Sequence, residues 1–183
     1  TRFYRNKAEY PVRIENGSFT AGFYPFKSHG IVPAFSCMLH PPAFSKGLKA
    51  FEKWALASGA DSYDEASGKG LLRHIYFRKA FATGQIMACA VINGEQIPDP
   101  DLLISLLKDA MPGLQSVAVN RNKSKTNVIL GNETKIIWGS EKITDILLGK
   151  KFVISPESFY QVNHDQCEKL YACVADFAEL AGT

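Results

Sequence analysis

Two hydrophobic periods alternate along the chain, the two-residue repeat of a strand and the 3.6-residue repeat of a helix. Arg2 to Ile14 reads as a strand, and Asn16-Gly17 behind it is a hairpin signal that returns the chain over Phe19 to Phe26. Within Phe44 to Ala57, Leu48, Phe51, Ala55 and Leu56 recur near helical spacing, and "SGADSYDEASGKG" ends that helix. Leu71 to Ala82 and Gln85 to Ile92 form a second hairpin across Thr83-Gly84. "IPDPDLLISLLKDAMPG" predicts a helix opened by Pro100 and Asp101 and closed by Pro112-Gly113. Leu114 to Asn120 is another strand, with further strand-like pieces at Lys135 to Trp138 and Lys151 to Ile154. Asn163 then has the character of an N-cap, with Gln166 at the capping-box position and Asp165 in the first turn. That last helix carries Leu170, Tyr171, Val174, Phe177 and Ala178 on one side and runs to Ala181, where Gly182 terminates it. Hairpins imply antiparallel pairing, so the predicted class is α+β, an antiparallel sheet of hairpins with flanking helices. "SGADSYDEASGKG" and "NRNKSKTN" are the flexible candidates.

Composition narrows the function classes without choosing one. The chain has 183 residues, 46% of them hydrophobic and 21% charged, as in an ordinary globular protein. No apolar run approaches the ~20 residues of a membrane span, and no signal peptide opens the sequence, so the cytoplasm is the expected compartment, with neither membrane nor DNA as a partner. The net charge of +3 does not by itself imply nucleic acid. Arg2, Arg5, Lys7 and Arg13 crowd the first strand, and "NRNKSK" gathers Arg121, Lys123 and Lys125. Each group either faces phosphates or is a solvated face. The four cysteines, Cys37, Cys89, Cys167 and Cys173, show no two-residue spacing of a zinc or redox site. Cys89 reads as a small core residue, Cys167 and Cys173 as lying on different helix faces, and Cys37, in the turn-rich "VPAFSCMLHPP", as structural. The histidines are scattered, and His74, alternating with apolar neighbours, reads as a strand residue with one satisfied hydrogen bond rather than a general base. There is neither a Gly-rich phosphate loop nor a Gly-x-Ser-x-Gly elbow.

The connector "ISPESFYQVN", Ile154 to Asn163, is chemically richer than a connector requires. Ser155-Pro156 stops the strand before it, and Asn163 caps the helix after it. Phe159, Tyr160 and Gln161 are held between the two stops. An aromatic there can stack on a base, and a Gln can grip a polar ligand with donor and acceptor together. The alternative is a buried Phe and a Gln bonded to loop backbone, and on the residues alone both stand.

"YRNKAEYPV", "GFYPFKSHGIVPAFSC", "GLLRHIYFR" and "ILLGKKFVISPESFYQVN", in this order across almost the whole chain, resemble the S-adenosylmethionine-dependent RNA uracil-5-methyltransferases that modify 23S rRNA and tRNA. The resemblance implies that residues 1–154 are the central domain of such an enzyme. Residues 155–183 would be a linker and the first helix of a Rossmann-like methyltransferase domain that the chain does not continue into. Gln161 matches the family's position for the methyl donor, S-adenosylmethionine, and Phe159 the position beside the reacting base. Two residues apart, they would share one side of an extended strand. Arg5 and Lys7 would steer RNA phosphates. Cys37 matches one ligand of a 4Fe–4S cluster found in some of these enzymes. A cubane needs four thiolates, so Cys37 alone cannot hold one: no cluster is expected in this chain, and one in the intact protein would depend on ligands outside it. No catalytic residue is expected here, since the nucleophilic cysteine and general base lie downstream in the family. The implied function is a fragment, inactive alone, of an enzyme that methylates C5 of a uridine in 23S rRNA, with tRNA as the other substrate. The competing reading is a stand-alone RNA-binding module without catalysis.

Overall fold

The protein, seen in a computed structural model, is described over residues 2–179. Asn16 and Gly17 both take positive φ, as a two-residue hairpin turn with the strands' own twist demands, and they join β1 (Lys7–Glu15) to β2 (Ser18–Phe23). A short β3 (Val32–Pro33) follows, then α1 (Pro42–Ser58), β4 (Leu72–Lys79), β5 (Ile86–Ile92), α2 (Pro100–Ala110), β6 (Leu114–Arg121) and β7 (Glu133–Gly139). A separate hairpin, β8 (Ile143–Leu147) with β9 (Lys150–Ile154), precedes α3 (His164–Phe177).

The seven-stranded sheet runs β3-β2-β1-β4-β5-β6-β7. Every neighbouring pair is antiparallel except β5 and β6, which run parallel because α2 carries the chain back across the sheet between them. The α+β reading with an antiparallel sheet therefore holds for the architecture and misses this one crossover. α1 and α2 cover one sheet face. Phe44, Leu48, Phe51 and Trp54 of α1 pack with Leu103 and Leu107 of α2 over Ile75, Phe77, Ala88, Ala90, Val117 and Val119. Leu56, expected on the buried side, is exposed. The other face is covered by β8–β9 and the connector, with Ile143, Ile154 and Tyr160 over Tyr76, Met87, Cys89 and Ala118.

Several predicted boundaries shift for local reasons. The first strand begins at Lys7 rather than Arg2. Residues before it hydrogen-bond to loops, Phe3 N to Met38 O and Arg5 N to Leu39 O, so Arg5 lies ahead of the strand. β2 stops at Phe23, short of Phe26, where Pro25 starts a turn. β8 was not anticipated. α3 ends at Phe177 rather than Ala181, and the predicted stop at Gly182 lies outside the described residues. Among the described residues no helix is long and apolar enough to cross a membrane.

Candidate functional site

Ile154 ends β9 with its side chain buried, and Ser155 to Ser158 then close a tight turn. Ser158 N donates to Ser155 O at 3.2 Å, and Ser155 N donates to Ser158 Oγ at 2.9 Å. The chain next crosses the sheet face without regular secondary structure until Asn163, whose Oδ1 accepts from Gln166 N at 3.2 Å and opens α3 as the sequence predicts.

Its backbone is held at successive carbonyls. Arg78 Nη1 donates to Ser158 O at 2.7 Å, Asn6 Nδ2 to Gln161 O at 2.8 Å, and Asn6 N to Val162 O at 2.9 Å. Between these points Tyr160 turns inward and donates to Asp145 Oδ2 at 3.2 Å. Burial first, and then the Asp145 carboxylate, push the Tyr160 phenol well above its usual range. Because its neighbour is anchored inside, Phe159 stands out at 86% exposure, and Gln161 is exposed as well. The buried-Phe alternative therefore fails: the inward aromatic of this connector is Tyr160. Beyond Asn163, Leu170, Tyr171, Val174 and Phe177 of α3 are also exposed, so the predicted apolar side of that helix has no cover within the described residues.

Arg5 is half-buried and forms an isolated antiparallel bridge with Asn163, which brings it to the end of the connector. With Lys7 it lines a groove of about 400 Å³ whose other walls include Phe23, Leu39, His40 and Ile129. Lys7 is paired with Glu9 at 3.1 Å, so its charge is shared at the surface. The second predicted basic group is mostly neutralised: Arg121 pairs with Glu95 at 2.6 Å and Glu133 at 2.7 Å, and Lys123 also pairs with Glu95. These contacts hold the Glu95 carboxyl below its usual range, the Lys123 hydrogen bond most of all.

Cys37 is half-buried, and its Sγ accepts from Leu39 N at 3.4 Å. Among the described residues no three His, Cys, Asp or Glu side chains come together as metal ligands, so the donors for an iron–sulfur cluster are not assembled by these residues. Cys89 is buried, and Cys167 is buried where Cys173 is exposed, in keeping with different helix faces. His74 is a strand residue. Burial, aided by Arg73, lowers its pKa from 6.5 to about 4, and the hydrogen bond expected of it is not made at Nδ1, which is buried without a partner among the described residues.

The residues that do the holding, Asn6, Arg78 and Asp145, escaped the sequence reading. Asn6 and Arg78 were nonetheless in view within "YRNKAEYPV" and "GLLRHIYFR". Asp145 sits in the unanticipated β8, and nothing local distinguishes it from a surface carboxylate.

No family model matches the chain. It is 42% identical over 179 residues to an uncharacterized RNA methyltransferase of Caldanaerobacter subterraneus subsp. tengcongensis, a match covering 98% of this chain and 40% of that protein. It is 40% identical over 179 residues to an uncharacterized RNA methyltransferase of Clostridium tetani, covering 98% of this chain and 39% of the relative. An uncharacterized RNA methyltransferase of Listeria innocua serovar 6a is 41% identical over the same shares. The chain thus spans about two-fifths of the length of the curated relatives it matches. Among solved structures, the Pyrococcus abyssi tRNA (uracil-54, C5)-methyltransferase in complex with S-adenosyl-L-homocysteine shares the fold, with a TM-score of 0.76 over 94% of this chain and 41% of that one, at 20% sequence identity.

Proposed function

The chain belongs to the family of these RNA methyltransferases, and from that premise we propose that it presents the target base in an enzyme that methylates C5 of an RNA uridine with S-adenosylmethionine. Residues 1–154 are the central domain in this proposal, and residues 155–183 lead into the methyltransferase portion. The observation that carries it is the connector, a backbone gripped at several carbonyls that turns one aromatic and one amide outward together.

Uracil C5 is a weak nucleophile inside a stacked strand, and a base must leave its stack before chemistry can reach it. Phe159 offers a face on which an extruded uridine can stack, worth about 1–3 kcal/mol. Gln161 carries a donor and an acceptor suited to polar groups of the methyl donor. S-adenosylmethionine, when bound, supplies an electrophilic methyl group. Arg5 and Lys7 meet RNA phosphates along their shared groove, a salt-dependent contribution. The exposed apolar side of α3 is where the rest of the methyltransferase portion packs in this reading. Cys37 is the one cluster-ligand position within the chain, and no step of the proposal runs through iron. The substrate implied by the motif resemblance is 23S rRNA, with tRNA in competition.

The test is transfer of labelled methyl groups from S-adenosylmethionine to 23S rRNA fragments and to tRNA transcripts by the intact protein. Phe159→Ala is expected to weaken RNA binding by roughly 5- to 150-fold, in line with the stacking energy. Unchanged binding and turnover would refute the assignment. RNA binding with no methyl transfer by the unaltered protein would favour the stand-alone binding module.

A further inference from the structure

Two buried side chains hold the connector from below. Arg78, 2% exposed, donates through Nη1 to Ser158 O, while its Nε has no partner and no carboxylate pairs with it among the described residues. Its guanidinium carbon lies 5.7 Å from the centre of the Tyr76 ring. Burying a cation without an ion pair is costly, and an apolar side chain of similar volume would pack there at lower cost. Stability alone therefore does not explain an arginine at this position. Asn6, fully buried, spends Nδ2 and its backbone N on Gln161 O and Val162 O, and its own carbonyl accepts from Lys79 N at 2.8 Å. Lys7 and Arg78 are register partners on β1 and β4, so both grips issue from one rigid corner of the sheet. The gripped carbonyls, those of Ser158 and Gln161, bracket the stretch that carries Phe159 and Gln161. Fixing peptide planes on both sides of a short stretch fixes the directions of its side chains.

We propose that Arg78 and Asn6 are positioning residues for methyl transfer: without touching RNA or methyl donor, they set where Phe159 and Gln161 stand relative to each other. This rests on the reading of the connector as the base-presenting element. A misplacement of the order of 1 Å at a reacting pair costs about 100-fold in rate.

The experiment uses the intact protein and the variants Arg78→Met, Arg78→Lys and Asn6→Asp, with Phe159→Ala as reference. Hydrogen–deuterium exchange follows residues 157–163 against β4 and β5, and steady-state assays separate kcat from KM for RNA. The expected result is faster exchange confined to residues 157–163. With it, kcat should fall about 10- to 100-fold while KM for RNA changes far less, and Arg78→Lys should recover part of the loss. Wild-type kcat in Arg78→Met and Asn6→Asp overturns the proposal. So does exchange that quickens equally in β4 and β5, or loss of folding in all three variants, either of which assigns these residues to stability alone. If Phe159→Ala leaves transfer intact, the base-presenting reading falls with it. If Phe159→Ala is crippled while the other variants are normal, only the positioning role falls.

Discussion

Asp145 is the carboxylate on which the underside of the connector depends, and Asp145→Asn measures that dependence. The side chain is fully buried in β8. Oδ1 accepts from Ala82 N at 2.8 Å and Ile146 N at 3.0 Å, and Oδ2 accepts from Phe81 N and Tyr160 OH, both at 3.2 Å. His164, the first residue of α3, donates from Nε2 to Ile146 O at 2.8 Å, close beside it. One side chain thus ties together the β4–β5 turn, β8 and the connector. The amide keeps the volume but turns one oxygen into a donor facing two donors. Tyr160 OH can rotate to accept, whereas the Phe81 N–H cannot and is left unsatisfied. Hydrogen bonds to a charged group contribute about 1.5–3 kcal/mol each, and an orphaned buried N–H costs about 1–3 kcal/mol. Relief of carboxylate desolvation offsets part of this, leaving an expected loss of about 2–4 kcal/mol. At about 2–4 °C per kcal/mol for a chain of this size, Tm should drop by roughly 4–16 °C. Tyr160→Phe alone should cost about 1–2 kcal/mol, and the double variant less than the sum, because the two share one bond. Urea and thermal denaturation of the four proteins provide the measurement. A loss below about 1 kcal/mol for Asp145→Asn, or strictly additive effects, would refute the reasoning.

Acid should destabilise the fold through His74, whose pKa burial lowers from 6.5 to about 4. Between those values the unfolded chain binds a proton that the folded chain does not, so stability falls as pH drops from 6.5 towards 4, by up to about 3 kcal/mol. His74→Leu, which sacrifices no partner at Nδ1, should flatten that part of a urea-midpoint profile against pH, and an unaltered profile would contradict the assignment. Gly131→Ala should cost about 2–4 kcal/mol by thermal denaturation, because a Cβ there would lie 1.9 Å from the carbonyl oxygen of Arg121, backbone that cannot yield cheaply. A change of under about 2 °C in Tm would show that the 122–131 loop re-forms elsewhere.

Much of the secondary structure was legible because its causes are local. Asn16-Gly17 accepts positive φ at both turn positions, Pro100 and Asp101 begin α2, and Asn163 caps α3. The parallel pairing of β5 with β6 was not legible, since strand periodicity is the same in either direction. Nor was β8, whose central Asp145 reads as a surface residue until four donors are seen around it.

The motifs themselves, and with them the choice of Phe159 and Gln161 as candidates, came from sequence. That these two face outward while Tyr160 faces in was decided only by tertiary structure. The outcome depends on Asn6, Arg78 and Asp145, and the bond from Asn6 to Gln161 O alone spans 155 positions. A local pattern sets what each segment can become. Which side of it meets solvent is settled by partners that only sheet register and chain path bring within hydrogen-bonding reach.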